Sequence, residues 1–220
     1  MREAVTYEHR VKGWPLAALL GGAAVAIAAG IIASNGTVPG WEQAIFHGIN
    51  GLPDWLRGAM WIFQLAGLLL VPLVVAVGAL AFRRYRLAIA LLAFIPLKLL
   101  IEKGVVKNLV ERERPATTIC HLDLSCGHFR DVPLESLSFV SGHAIISWGV
   151  ATLLYPYLPG RWRWLPFLIA TLNAIARVYL GAHNPLDVIG GAGIGVALGA
   201  LLTMAIGSPV PTPERATSTQ

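Results

Sequence analysis

The sequence predicts an all-α, polytopic membrane protein: six transmembrane helices in one bundle, with a short interfacial helix in the first outer loop. Hydrophobic residues make up 55% of the 220-residue chain and charged residues only 13%, whereas a soluble domain carries about 25% charged residues. The mean hydropathy is +0.64. Six apolar segments come close to the roughly 20 residues that a helix needs to cross a bilayer.

The predicted spans follow one another along a single domain. They are residues 14–34, 59–82, 87–106, 143–158, 164–180 and 188–206. The first span is too long for the core of a signal peptide and lacks a clear cleavage site, so we expect it to be retained. Residues 1–207 are expected to form the membrane domain. The tail, residues 208–220, is rich in Pro, Ser and Thr and is expected to be disordered and cytoplasmic.

Basic residues predict how this bundle is oriented. They cluster before the first span, between the second and third, and between the fourth and fifth: Arg2, Arg10, Lys12, Arg83, Arg84, Arg86, Arg161 and Arg163. Because Lys and Arg mark cytoplasmic loops, we expect both termini in the cytoplasm of a plasma-membrane protein. Residues 35–58, residues 111–139 and the turn near His183 then lie outside. These small clusters are dispersed along the chain and no soluble basic domain is visible, so no nucleic-acid partner is expected.

The second outer loop contains both cysteines of the chain, Cys120 and Cys126. A disulfide is permitted outside the membrane, and two free thiols are the alternative. His121 and His128 lie close by, which leaves a metal site open. The spacing fits no strong zinc pattern, so we expect no metal.

Three patterns predict packing and not chemistry. A short interfacial helix in the first outer loop is predicted from apolar residues at helical spacing: Trp41, Ile45 and Ile49. A stripe for close helix contact in the sixth span is predicted from small residues four apart: Gly191, Gly195 and Gly199. Inside the third span, Lys98 and Glu102 are predicted to form an ion pair with each other, although ionisable residues within a membrane are also candidates for function.

Polar residues concentrate in three stretches at the predicted outer edges of the spans: residues 107–115, 141–143 and 177–187. Each stretch alone has an ordinary explanation, namely an arginine reaching the headgroups, a helix start, or a cap followed by a turn. The topology, which was set by charges in other loops, nevertheless places all three on the same face. Their agreement favours one shared site.

The residue types in these stretches suit a phosphate. Lys107, Arg114 and Arg177 supply three cations, and a guanidinium fork matches phosphate oxygens. Ser141 offers a hydroxyl. Gly142 lets the backbone come close to a ligand at the start of a helix, where backbone N–H groups bind anions. Lys107 and Arg114 would share a helix face if the helix ran on that far, although Pro115 favours a stop.

Two histidines are predicted to share the chemistry. His183 is the candidate nucleophile, and Asp187, four residues later, is placed to hold one ring nitrogen and leave the other free. His143 is the candidate general acid for the leaving group and then the base for water. This arrangement predicts a phosphohistidine intermediate.

These stretches resemble the signature of the type 2 phosphatidic acid phosphatase family, which shares its catalytic core with vanadium haloperoxidases. The signature is Lys-x6-Arg-Pro, then Pro-Ser-Gly-His, then Ser-Arg-x5-His-x3-Asp. Here Val140 replaces the proline of the second motif and Ala176 the serine of the third. The resemblance implies a six-helix membrane core and phosphate ester or diphosphate hydrolysis without a required metal or other cofactor. It also implies the roles given above for each residue.

The expected substrate is a lipid phosphate in the outer leaflet, surrounded by membrane lipids. A polyprenyl diphosphate of the undecaprenyl type is favoured because an outward-facing site in a small bacterial-looking protein suits recycling of that carrier. Phosphatidylglycerophosphate or phosphatidate is the alternative. Two other classes are a soluble-type vanadate haloperoxidase, which six apolar spans disfavour, and a non-catalytic lipid-binding or transport protein, which both histidines disfavour. The oligomeric state has no signal in the sequence.

Overall fold

The computed structural model describes residues 7–9, 12–130, 132–134 and 136–209, and this part of the chain is mostly helical. Its helices are α1 (Trp14–Ala33), α2 (Gly40–Asn50), α3 (Arg57–Gln64), α4 (Leu70–Ala81), α5 (Tyr85–Leu99), α6 (Lys107–Leu109), α7 (Pro115–Thr118), α8 (Gly142–Leu154), α9 (Leu165–Tyr179) and α10 (Pro185–Ile206). A π-helical segment, Leu100–Val106, joins α5 to α6. Single 3₁₀ turns occur at Asp54–Leu56, Leu65–Gly67, Leu124–Cys126, Tyr155–Tyr157 and Gly160–Trp162. Two short strands, β1 (Tyr7–Glu8) and β2 (Ser208–Pro209), pair antiparallel.

Helices lie in all six predicted spans, but they differ in length. Among the described residues, α1 and α10 are long and apolar enough to cross a membrane, with mean hydropathies of 2.3 and 2.0. Helices α8 and α9 have 13 and 15 residues, fewer than the roughly 20 that a straight span needs. The count of six spans therefore stays a prediction.

The predicted second span, residues 59–82, is wrong as a single helix. The chain bends by 66° between Asp54–Gly67 and Leu70–Ala81, and Leu68 is extended, with φ −71° and ψ 146°. Pro72 explains the break, because its ring would clash with the carbonyl of residue 68 in a continuous helix. The two halves count as one further membrane crossing only if they are taken together.

The glycine stripe of α10 is confirmed as a surface for close packing. A Cβ added at Gly191 would lie 2.6 Å from the carbonyl oxygen of Ser141, and one at Gly195 would lie 2.5 Å from that of Ile145. At Gly199 the nearest backbone oxygen, 2.8 Å away, is on α8 as well. The backbones of α8 and α10 therefore touch, which fixes the start of α8 beside the start of α10.

Helix α2 lies where the interfacial helix was predicted, but the face that packs against the protein is not the one that carries the predicted apolar residues. Trp41 and Ile45 are 48% and 43% exposed. The buried stripe is Glu42, Phe46 and Asn50, which share a face because they are four residues apart. The helix is therefore docked against the bundle, with a carboxylate pointing into the protein.

The two strands hold the segments before α1 and after α10 together. Tyr7 pairs with Pro209, and Arg86, from the connection between α4 and α5, donates to the carbonyl of Ile206 at 2.7 Å. Three of the segments predicted to be cytoplasmic thus share one end of the bundle. Ser208 and Pro209 belong to β2, and the rest of the predicted disordered tail, residues 210–220, lies outside the described residues.

Candidate active site

The three polar stretches converge near the start of α10. Ser141 is the N-cap of α8, and its backbone N–H donates to the carbonyl of Asp187 at 3.0 Å. His183 lies in the turn between α9 and α10. Helix α10 has 22 residues, so this end lies about 33 Å from the strands at 1.5 Å per residue.

The turn that carries His183 is fixed by its own sequence. Gly181 ends α9 with φ +79°, a conformation that glycine adopts without strain. Asn184 and Asp187 form a capping box at the start of α10, with Pro185 at its first position. The predicted alternatives for this stretch, a helix cap and a histidine partner, are therefore compatible, because one carboxylate does both.

The ring of His183 is held on one side and is 4% exposed. Its Nδ1 lies 3.2 Å from the hydroxyl of Ser138 and 3.5 Å from Oδ2 of Asp187. The Ser138 hydroxyl donates to the same Oδ2. Burial lowers the pKa of His183 to about 4, and the hydrogen bond with Asp187 opposes this only in part. The ring is therefore unprotonated at neutral pH.

His143 faces the same site from the first turn of α8. The side chains that act on it electrostatically are those of Arg177, His183, Lys98 and Arg114. The structure thus brings together members of all three stretches. His143 is half-buried, which leaves it reachable by a substrate.

Arg177 and Arg114 supply positive charge at this point. Arg177 is 7% exposed and donates to Oε1 of Gln64 at 2.6 Å. Its Nε is buried and has no hydrogen-bond partner among the described residues. Arg114 donates to the Ser136 hydroxyl at 2.9 Å and to the carbonyl of Ala182. Both guanidiniums are thereby oriented while donor capacity is left over.

Lys107 is connected to the site by an ion pair with the buried carboxylate of Glu102. Its Nζ lies 3.4 Å from Oε1 of Glu102, and the predicted ion pair between Glu102 and Lys98 is confirmed. An added Cβ on Gly142 would lie 2.7 Å from Oε1 of Glu102 and 2.8 Å from Nζ of Lys98. This charged group therefore touches the backbone on which a phosphate is predicted to sit.

Lys107 and Arg114 do not share a helix face. Helix α6 ends at Leu109, and Val110 is extended, with φ −127° and ψ 90°. The stop comes five residues before the position expected from Pro115. The following segment pairs with residues 137–138 instead: Glu113 bridges to Leu137, and Ser138 N–H donates to the carbonyl of Arg112 at 2.6 Å.

Sequence reasoning missed four residues that complete the site: Glu42, Gln64, Arg112 and Ser138. Arg112 lies inside the first polar stretch and Ser138 three residues before the second, so proximity to a motif was an available signal. For Glu42 the only signal was a carboxylate on the same helical face as Phe46 and Asn50. Gln64 had none that we can identify.

The second outer loop is closed by a disulfide between Cys120 and Cys126. Arg130 fastens the loop by donating to the carbonyls of Asn50 and Leu52 at 3.0 and 3.2 Å, and it pairs with Asp54 at 2.9 Å. Since both thiols are bonded, neither is available to a metal. Within the described ranges no three His, Cys, Asp or Glu side chains converge as metal ligands.

The chain is similar to known proteins over most of its length. A family model described as the PAP2 superfamily matches residues 82–208. The fold resembles the crystal structure of a transmembrane PAP2 type phosphatidylglycerolphosphate phosphatase from Bacillus subtilis. The TM-score is 0.63 at 25% identity, and the match covers 86% of this chain and 94% of that one.

A shorter similarity links the chain to an undecaprenyl-diphosphatase of Sulfolobus acidocaldarius. The two are 48% identical over 56 residues, which cover 24% of this chain and 26% of the relative. The chain thus matches about a quarter of the length of that curated relative.

Proposed function

The chain belongs to the PAP2 superfamily, and from that membership we propose that it is a membrane lipid phosphatase whose reaction passes through a phosphohistidine on His183. The observation that carries the proposal is the convergence of the three polar stretches. Arg114 donates to the carbonyl of Ala182, beside His183, and the N–H of Ser141, two residues before His143, donates to the carbonyl of Asp187. The unpartnered Nε of Arg177 supports it. Buried donors are normally satisfied, and a phosphate oxygen is a suitable acceptor.

The phosphate is held by cations and by the start of α8. The holding residues are Lys107, Arg114, Ser141, Gly142 and Arg177. They stabilise negative charge as it develops on the phosphate oxygens. Each role is filled by a group of the protein, so we propose that no metal is required.

In the first step the Nε2 lone pair of His183 attacks phosphorus. The N–P bond forms while the bond between phosphorus and the leaving oxygen breaks. His143, which is protonated once the negative charge of the bound phosphate offsets the surrounding cations, gives its proton to that oxygen. The neutral state of His183, which burial favours, makes its lone pair available. With a diphosphate the leaving group is the lipid monophosphate, and with a monophosphate it is the lipid alcohol.

In the second step water releases the phosphate. His143, now unprotonated, takes a proton from a water molecule as the water oxygen attacks phosphorus. The N–P bond breaks, its electron pair returns to His183, and inorganic phosphate leaves. The two histidines are then in their starting states.

For the substrate we favour a polyprenyl diphosphate of the undecaprenyl type. The similarity to an undecaprenyl-diphosphatase supports this choice. Phosphatidylglycerophosphate is the second candidate, because the solved structure that the fold resembles is described as a phosphatase of that lipid. Phosphatidate belongs to the same second group.

We place the site on the extracytoplasmic face of the plasma membrane, with both termini in the cytoplasm. The distribution of Lys and Arg supports this orientation. The connection that carries Arg86 lies at the end of the bundle with the two strands, and His183 lies near the opposite end of α10.

The test is phosphate release by the purified protein in detergent with EDTA. Undecaprenyl diphosphate, phosphatidylglycerophosphate and phosphatidate are compared by kcat/KM. We expect release by the wild type and a loss of about 1,000-fold or more in His183→Ala, since a covalent nucleophile has no substitute. His128→Ala, in the exposed part of the outer loop, is the matched control and is expected to keep its activity. Full activity in His183→Ala would contradict the proposal.

A further inference from the structure

Glu42 is a buried carboxylate that lies far along the sequence from every predicted motif. It is 0% exposed. Its Oε2 accepts from Nη2 of Arg112 at 2.7 Å, and its Oε1 accepts from Nη1 of Arg112 at 3.0 Å. The backbone N–H of Leu186 also donates to Oε1, at 2.8 Å. A paired, two-point guanidinium contact of this kind fixes geometry as well as charge.

Arg112 continues the chain of contacts to Asp187. Its Nη1 lies 3.4 Å from Oδ1 of Asp187. The other oxygen of that carboxylate accepts from the backbone N–H of Asn184 at 2.8 Å and from the Ser138 hydroxyl. Asp187 is thus held through both oxygens, and it is 0% exposed.

Ser138 stands between this carboxylate and the ring of His183. Its hydroxyl gives its proton to Asp187, so its oxygen is free to accept from Nδ1–H of His183, 3.2 Å away. Nδ1 is nearer to Ser138 than to Asp187. The arrangement selects the tautomer that keeps the proton on Nδ1 and leaves Nε2 to react.

The charges of the network suit the reacting state of the ring. Within the group of Glu42, Asp187 and Arg112 the two carboxylates outnumber the guanidinium by one, and Asp187 acts on His183 against the opposing charges of Arg177 and Arg114. Buried charges persist only when they are paired and hydrogen-bonded. A ring that carries phosphate on Nε2 and a proton on Nδ1 is cationic, and the surplus charge favours it.

We propose that Glu42 and Arg112 are positioning residues, which fix Asp187 and, through Asp187 and Ser138, hold His183 in its reactive tautomer. This inference rests on the proposed function, because it concerns how the nucleophile is oriented. Neither Glu42 nor Arg112 is placed to hold the phosphate. Their loss is therefore expected to slow the chemical step and to leave substrate binding largely intact.

The kinetic test compares two buried arginines. Arg112→Lys keeps the charge but cannot bridge Glu42 and Asp187 together. We expect kcat to fall about 10- to 100-fold, the usual effect of losing a supporting contact, while KM stays within about threefold. Glu42→Gln and Ser138→Ala are expected to behave alike. Arg130→Lys, the matched control, changes an arginine that is 8% exposed and fastens the outer loop, and its kcat is expected to stay within about threefold of the wild type.

A second measurement determines the tautomer of the His183 ring directly and does not depend on catalytic activity. In protein labelled with ¹⁵N-histidine, NMR of the wild type is expected to show His183 as the Nδ1–H tautomer, with His183→Gln identifying its signals. Arg112→Lys and Ser138→Ala are expected to lose this single tautomer, and Arg130→Lys is expected to keep it. An unchanged tautomer in Arg112→Lys, or equal losses of kcat in Arg112→Lys and Arg130→Lys, would overturn the positioning role. A wild type inactive on every lipid phosphate would overturn the proposed function, and NMR would still decide the positioning role.

Discussion

At the scale of single residues, Gly142 is the glycine whose surroundings bear most directly on the proposed phosphate site. It opens α8 at the predicted phosphate site, and the buried pair of Lys98 and Glu102 lies against its α-carbon. Both members of the pair are 5% exposed. Any side chain at this position has to displace either a buried ion pair or the backbone that faces the phosphate.

Gly142→Ala is expected to lower kcat/KM about 10- to 100-fold, because a displacement near 1 Å in an active site has effects of that size. The measurement is phosphate release at subsaturating substrate. Gly104→Ala is the matched control. Gly104 lies on the π-helical segment that carries Glu102, and its added Cβ would meet one flexible side-chain atom at 3.4 Å. Equal activity in the two variants would show that the contact at Gly142 does not matter.

The residues that carry chemistry were easier to predict than those that hold them. His143, His183 and Asp187 stand in short stretches whose spacing can be read directly from the sequence. Glu42 lies 145 positions before Asp187 along the chain, and a lone acid on a short helix resembles an ordinary solvent-facing residue. Only the docking of α2 shows which way that acid points.

At the scale of elements, the contact between α8 and α10 sets the position of both histidines. The two helices meet backbone to backbone along three glycines, and Gly195 is the most crowded, with its nearest oxygen 2.5 Å from an added Cβ. Such surfaces are typical of helices that associate through close packing in membranes. A substitution at one of these glycines is expected to disturb the packing of α8 against α10 along the whole interface.

Gly195→Ala is expected to lower the free energy of unfolding by about 1–3 kcal/mol, the usual cost of overpacking, and to reduce activity as α8 shifts. Thermal unfolding in detergent measures the first effect. Gly21→Ala in α1 is the matched control, since an added Cβ there would meet nothing within 4 Å. A melting temperature unchanged in both variants would argue against a close interface.

The break between α3 and α4 could not be read from hydropathy, because both halves are apolar. Non-helical backbone in a membrane needs partners inside the protein. Asn173 of α9 provides them by donating to the carbonyls of Phe63 and Gln64 at 3.1 and 3.0 Å. The same end of α3 directs Gln64 toward Arg177, so the bend also serves the site.

At the scale of the whole molecule, the two ends of the bundle are expected to face different compartments. Leu124, in the disulfide loop, is 51% exposed, and Phe82, beside the basic connection, is 81% exposed. They report on opposite sides if the predicted orientation holds.

In a background without native cysteines, Leu124→Cys is expected to react with a membrane-impermeant maleimide on intact cells. Phe82→Cys is expected to react only after the cells are made permeable. The reverse pattern would invert the orientation and would place the site in the cytoplasm. Gel shift of the labelled protein is the measurement.

The order of apolar segments and basic loops was predictable because each of them is recognised from the average composition of many residues. The lengths of the helices were not predictable in this way. Helix α8, for example, ends at Leu154 and is followed by a 3₁₀ turn that contains Pro156. Local geometry of that kind depends on single residues and on what packs beside them.

The family match begins at residue 82, whereas Glu42 and Gln64 precede it. A shortened protein limited to the matched segment would retain both histidines and every predicted phosphate ligand. It would lose Glu42, which leaves the buried guanidinium of Arg112 with Asp187 alone at 3.4 Å, and it would lose Gln64, the amide that anchors Arg177. Breaking one buried ion pair costs about 3–5 kcal/mol. The first third of the chain is therefore needed for the stability of the matched segment, and a shortened protein that is to remain active has to include it.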